Sequence, residues 1–210
     1  MVPEHIIYQD VTQLFQAEAG RANYQQIRNI IEKKVEDLMI KQGPWQLFLD
    51  AIMKEHGENI NDISALPFPA YNLKIPLASE ESESYILKRQ LCIDVSLVSK
   101  HYTIYFEDFY NFSEYMYEEA PMGKILVHFY VLFYKTMTTE SFKRSASNAD
   151  DYVRQFFPEY QFVSHNVLFN YKVYNLLPYQ ADDINKEKVF SLYDFAMSRH
   201  YEYKNIKVII

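Results

Sequence analysis

Leu91-Cys92-Ile93-Asp94-Val95-Ser96-Leu97-Val98-Ser99-Lys100-His101-Tyr102-Thr103-Ile104-Tyr105-Phe106-Glu107 is the stretch whose reading decides the fold. Successive side chains of a strand point to opposite faces, so Leu91, Ile93, Val95 and Leu97 share one face against Gln90, Cys92, Asp94 and Ser96. The second half alternates in the same way, with Tyr102, Ile104 and Phe106 against His101, Thr103, Tyr105 and Glu107. A hairpin with Ser99 and Lys100 at its tip sets Leu97 opposite Tyr102, Val95 opposite Ile104 and Ile93 opposite Phe106. On the other face Ser96 meets Thr103, Asp94 meets Tyr105 and Cys92 meets Glu107. A slip of one residue would send every apolar side chain to the wrong face, so the two halves test each other. The tip lacks Asn-Gly or Gly-Gly and leaves the turn type unspecified.

Toward the N-terminus the period becomes helical. Asp10-Val11-Thr12-Gln13 has the spacing of a capping box and predicts a helix start. Ile27, Ile31, Val35, Leu38 and Met39, with Ile30 beside them, recur at helical spacing, and Gly20 is a candidate break before them. A further helix is delimited by Pro44 and Gly57, with Trp45, Phe48, Leu49, Ile52 and Met53 as its apolar stripe. The short connection Lys41-Gln42-Gly43 predicts an antiparallel pair of helices. Residues 61–84, with Pro67, Pro69 and Pro76 and then Ser79–Ser84, read as an extended linker and solvated loop, with Tyr71–Ile75 as a short strand.

Toward the C-terminus, Ile125–Tyr134 is apolar on both faces and reads as a central strand, with a buried helix as the alternative. Asn148–Phe157 predicts a helix stopped before Pro158, Tyr160–Ser164 and Val167–Leu176 a hairpin, Asn185–His200 a helix on Val189, Leu192, Tyr193 and Ala196, and Ile206–Ile210 a terminal strand. The expected fold is α+β in a single domain over residues 1–210. A helical front over 1–60 precedes a mostly antiparallel sheet over 85–210, with helices near 148–157 and 185–200.

Composition limits the chemistry. A chain of 210 residues with 49% hydrophobic and 23% charged residues can bury a full core without disulfides, and its one cysteine, Cys92, permits no internal bridge. Met1–His5 lacks the basic start of a secretory signal, and no run approaches the ~20 apolar residues of a membrane span, which predicts a cytoplasmic protein with no membrane partner. The four glycines, Gly20, Gly43, Gly57 and Gly123, are too scattered for a dinucleotide fingerprint or phosphate loop. Neither a nucleophile elbow, nor a paired-histidine zinc helix, nor a cysteine pair is present, so no cofactor and no metal is expected. A net charge of −7 disfavours nucleic acid and favours a basic partner.

Of the six histidines, His128 stands inside an apolar run, where a hydrogen-bonded core histidine is the plain reading and a catalytic one the alternative. In the hairpin His101 lies about 20 Å along the sheet from Cys92 at ~3.3 Å per residue, too far to exchange a proton with it. Glu107 beside Cys92 would raise the thiol pKa. The densest mixture of acid and aromatic residues is Glu107, Asp108, Tyr110, Glu114, Tyr115, Tyr117, Glu118 and Glu119. Tyrosine supplies rigid contact area and carboxylates steer and pair with Lys or Arg, so this set is the candidate partner-binding surface, with a core-facing rim as the plainer reading. The expected function is a non-enzymatic protein-binding module, of the inhibitor or immunity type, for a basic partner. The alternatives are a hydrolase or transferase with a carboxylate and His128 site, and a structural, phage-like assembly subunit.

Overall fold

The structure is a computed structural model that describes residues 4–15, 24–40, 42–64, 67–120, 123–135, 140–174, 176–179, 189–197 and 206–209; over 113–135 and 206–209 the description is of strand backbone and register. In chain order the elements are α1 (Glu4–Phe15), α2 (Tyr24–Leu38), α3 (Pro44–His56), β1 (Asn61–Asp62), β2 (Ala70–Glu81), β3 (Tyr85–Ser96), β4 (His101–Ala120) and β5 (Gly123–Lys135). There follow α4 (Glu140–Phe156), β6 (Gln161–Phe162), α5 (His165–Asn170), β7 (Lys172–Val173), β8 (Phe190–Ser191), α6 (Leu192–Ala196) and β9 (Ile206–Ile209). One mostly antiparallel sheet runs β1-β2-β3-β4-β5-β9. β9 adds parallel to β5, and β6 adds parallel to β4 beyond the end of β5. The fold is α+β, with helices ahead of the sheet as the sequence predicts.

The deciding hairpin forms with a register two residues from the expected one. Val95 lies opposite Tyr102, Ile93 opposite Ile104 and Leu91 opposite Phe106. On the other face Asp94 meets Thr103, Cys92 meets Tyr105 and Gln90 meets Glu107. A two-residue tip of the primed type needs left-handed backbone that Ser99-Lys100 supplies poorly. The chain instead leaves Leu97–Lys100 out of the ladder, with only Lys100 at a positive φ, 46°. A shift of two preserves the alternation, so each side chain keeps the face its sequence position predicts.

One face packs against α3 and α4. Tyr71, Leu73 and Ile75 of β2, Leu91, Ile93 and Val95 of β3, and Tyr102, Ile104 and Phe106 of β4 form a core with Trp45, Phe48, Leu49 and Ile52. Pro44 opens α3, where a missing donor costs nothing, and Gly57 closes it at φ 77° with its N–H on the Met53 carbonyl at 2.9 Å. The Trp45 ring stacks on Tyr71 with centroids 4.7 Å apart. α3 touches α2, as the short connection predicts, and lies more closely against α4. α4 begins at Glu140, before the expected Asn148, because residues 140–156 contain neither Gly nor Pro and present Phe142, Ala146, Ala149 and Val153 to this core at helical spacing.

The opposite face is covered by α5 and α6, with α1 and α2 beside them. Ile7, Val11, Leu14 and Phe15 of α1 join Ile27 and Ile31 of α2, Leu168 of α5, and Leu192 and Phe195 of α6. Asp10 sits inside α1 and starts no helix; the Thr12 hydroxyl donates back to the Gln9 carbonyl at 3.2 Å. On α2, Ile27 and Ile31 face inward, yet the buried residue one turn on is Lys34, while Val35 and Met39 are exposed. Gly20 lies outside the described residues.

Three further expectations are corrected. Ser79–Glu81 continues β2 as an exposed strand end; Pro76 is accommodated at a bulge before Ala78, on an edge that β1 pairs only at Leu73 and Lys74. Tyr160–Leu176 is no hairpin: β6 joins β4, His165–Asn170 is helical, and β7 pairs with β8. The helix expected over 185–200 is, within the described residues, the single turn α6, fixed by a reciprocal cap between Ser191 and Asp194, with Val189 exposed before it. Ile125–Tyr134 is a strand within β5, and the helical alternative falls. No helix among the described residues is long and apolar enough to cross a membrane.

Candidate functional site

The polar face of β2, β3 and β4 carries a buried network beneath α6. The Asp94 carboxylate accepts from Asn72 Nδ2 at 2.8 Å and from the Tyr193 hydroxyl at 2.8 Å; the latter lies 3.2 Å from the Tyr105 hydroxyl. Burial pushes the Asp94 pKa up to about 6, against the pull of the bonds from Asn72 and Tyr193. Ser96 Oγ donates to the Ala196 carbonyl at 2.6 Å and Asn72 Nδ2 reaches the Met197 carbonyl at 3.3 Å. The bonds to Tyr193, Ala196 and Met197 tie the sheet to α6 and the residue after it, so the network holds the C-terminal layer in place.

Farther along the same face, Lys74 Nζ donates to Glu107 at 2.8 Å. Burial opposes the ammonium charge, and the carboxylates around it, Glu107 and Asp94, more than restore it, so the Lys74 pKa is raised. Cys92 is buried, and desolvation together with Glu107 pushes its thiol well up. A thiol held protonated and shut from solvent is no nucleophile. His101 lies four residues along β4 from Tyr105, the partner of Cys92, so the two do not meet. Its Nδ1 stands 4.0 Å from Asp10, and burial lowers its pKa. Among the described residues no three His, Cys, Asp or Glu side chains converge as a metal site would require.

A second locale is a cavity of about 590 Å³ between α2, the β3–β4 tip and the turn after α4. Its wall includes Lys33, Lys34, Tyr71, Leu97, Phe157 and Tyr160. Lys34 is 1% exposed, and its ammonium donates to the Phe68 carbonyl at 2.8 Å and the Ala70 carbonyl at 2.9 Å. Burial lowers its pKa to about 8, with Asp62 acting the other way. Burial likewise raises Tyr71, and raises Tyr160 to about 12.

The third locale is the outer half of the β4–β5 hairpin. The eight residues singled out by composition divide along β4. Glu107 and Asp108 are 3% and 2% exposed and belong to the interior, Glu107 on Lys74 and Asp108 3.6 Å from Arg89. A contact surface on this segment therefore begins beyond them. Tyr110 is half-buried, its ring 5.4 Å from Tyr85 and 6.3 Å from Phe112. The side chains of Glu114, Tyr115, Tyr117, Glu118 and Glu119, and that of His128, lie outside the described residues. Their backbone runs in the hairpin, with Tyr115 opposite His128, Tyr117 opposite Leu126 and Glu119 opposite Lys124. β3 makes its last pair with β4 at Tyr85 and Phe112, while β4 and β5 stay paired to Ala120 and Gly123.

Sequence reasoning assigned no polar role to Lys34, Lys74 or Asn72, and placed Tyr193 only on the apolar stripe of a helix. Lys34 was visible only as a position, seven residues after Ile27 on a buried stripe. No protein-family model, no curated protein and no solved structure matches the chain.

Proposed function

We propose that this protein is a binding module for a basic protein, engaged through the outer half of the β4–β5 hairpin. The observation that carries the reading is the continuation of β4–β5 pairing past the last β3 pair, over the part of the chain where Glu114, Glu118 and Glu119 stand among Tyr115 and Tyr117. A two-stranded ribbon is marginal alone in water and gains from a partner that covers it. The net charge of −7 steers basic partners toward the chain. An inhibitor or immunity-type role against a basic enzyme, in the cytoplasm, is the finer form of this reading.

The catalytic alternative has less support, because Asp94, Glu107 and Cys92 are packed under the C-terminal layer. An assembly-subunit role would require concentration-dependent association, readable by light scattering.

The test is affinity capture from the native cell with wild-type chain and with Glu114→Lys/Glu118→Lys/Glu119→Lys. Glu80→Lys/Glu81→Lys, on the exposed end of β2, is the control for charge alone. A protein retained by wild type and control but lost by the triple variant, and then shown to bind in purified form, is the expected result. Identical retention by all three chains would remove the hairpin as the binding surface.

A further inference from the structure

We propose that the cavity bounded by α2, the β3–β4 tip and the turn after α4 is a binding site for a small molecule with an aromatic or branched aliphatic body and one anionic group. This inference stands apart from the hairpin reading, and each survives failure of the other. The volume, about 590 Å³, falls within the range of small-molecule sites, roughly 300–1,000 Å³. Such sites combine an apolar lining with a few placed polar groups. Here Tyr71, Leu97, Phe157 and Tyr160 supply the apolar wall, and the lysines of α2 supply the polar end.

The sign of the ligand follows from the charges in the wall. Two acids also line the cavity, Glu159 and Asp37. Glu159 is already paired with Lys100 at 2.8 Å, which leaves Asp37 as the acid of the wall set against the two lysines, Lys33 and Lys34. The carboxylate that acts on Lys34 is Asp62, which is held by Trp45 Nε1 at 3.2 Å and the Ser64 N–H at 3.0 Å. An anion in the cavity offsets the desolvation of Lys34, whereas a cation adds to it. Tyr71 and Tyr160 remain protonated at neutral pH and can donate to an anionic oxygen.

The chain carries its own reporter. Trp45 is its single tryptophan, and it stacks on Tyr71 in the cavity wall. Titration of the full chain with 3-phenylpropionate is expected to change Trp45 fluorescence saturably, with calorimetry giving one site. The neutral 3-phenylpropionamide and the cationic 3-phenylpropylamine are expected to bind at least about tenfold more weakly. Leu97→Trp, read by calorimetry because it adds a second indole, fills the cavity and is expected to weaken binding by about tenfold or more while the far-ultraviolet circular dichroism stays unchanged. Lys33→Glu, on the exposed side of α2, leaves the core untouched and is expected to weaken the acid alone; it decides the matter if Leu97→Trp does not fold. Absence of a saturable signal at millimolar acid, equal affinity for the three ligands, or wild-type affinity in Lys33→Glu would overturn the proposal.

Discussion

Replacing Lys34 by Met tests the least expected feature of the interior, an ammonium taken out of water to hold two backbone carbonyls. In unfolded chain the amine titrates near the ordinary lysine value of about 10.4, and in the folded chain near 8. Between those values the unfolded state binds more protons than the native state, so stability rises with pH. Each tenfold loss of proton affinity is worth about 1.36 kcal/mol, so the protonated amine costs the native state about 3 kcal/mol at neutral pH. Around 2 kcal/mol of that cost is recovered between pH 8 and pH 10. Above pH 10 the raised phenols of Tyr71 and Tyr160 act in the opposite direction, since unfolding lets them ionise. The measurement is urea unfolding at pH 7, 8, 9 and 10. Wild type should gain about 2 kcal/mol from pH 8 to pH 10, and Lys34→Met should lack that gain. At pH 7 the variant loses two charge-assisted bonds of about 1.5–3 kcal/mol each and is freed of the desolvation cost, so its net change is the smaller quantity and the slope is the decisive one. A slope shared by both chains would show that Lys34 is not the titrating group.

Two other outcomes follow from the polar face. Glu107→Gln should destabilise by about 2–3 kcal/mol, below the range for fully buried pairs because Lys74 keeps 27% of its side chain in solvent. Lys74→Met/Glu107→Leu should recover most of that loss, and a double variant less stable than Glu107→Gln in chemical denaturation would contradict the desolvation argument. The Cys92 thiol should react with an aromatic disulfide reagent at least about a hundredfold more slowly in native chain than in urea. Comparable rates in the two states would mean that β3 is open at its centre.

Whether a feature was legible in the sequence depended on how far it reaches along the chain. Alternation in β3 and β4 assigned each side chain to its face, and that assignment survived a two-residue error in register because parity alone sets the face. Pro44 and Gly57 delimited α3 because both act through local backbone geometry. The run His165-Asn166-Val167-Leu168-Phe169-Asn170 misled, since six residues are too few to distinguish period two from period 3.6. Its helical state shows in backbone bonds four residues back, from the Leu168 N–H to the Ser164 carbonyl at 3.2 Å and from the Tyr171 N–H to the Val167 carbonyl at 3.0 Å. Lys34 carried no local signal of burial, because its acceptors are 34 and 36 residues away. Asp94, likewise, meets Asn72 at a separation of 22 residues and Tyr193 at 99.

These long-range polar contacts share one physical role. The apolar core beneath α3 and α4 comes from alternation within three neighbouring strands and would form with many sequences of the same pattern. The opposite layer has less regular structure to hold it: α5 spans six residues, α6 spans five, and β7 and β8 span two each. Elements so short have little stability of their own. Apolar contact draws this layer to the sheet without fixing its position. The bonds from Ser96 to Ala196, Asn72 to Met197 and Tyr193 to Asp94 are directional, and each is lost on sliding α6 by a single residue. Buried polar groups on this face therefore need no catalytic role to account for them. The two proposed sites accordingly lie away from this network, at the cavity beside Lys34 and along the β4–β5 ribbon beyond Phe112.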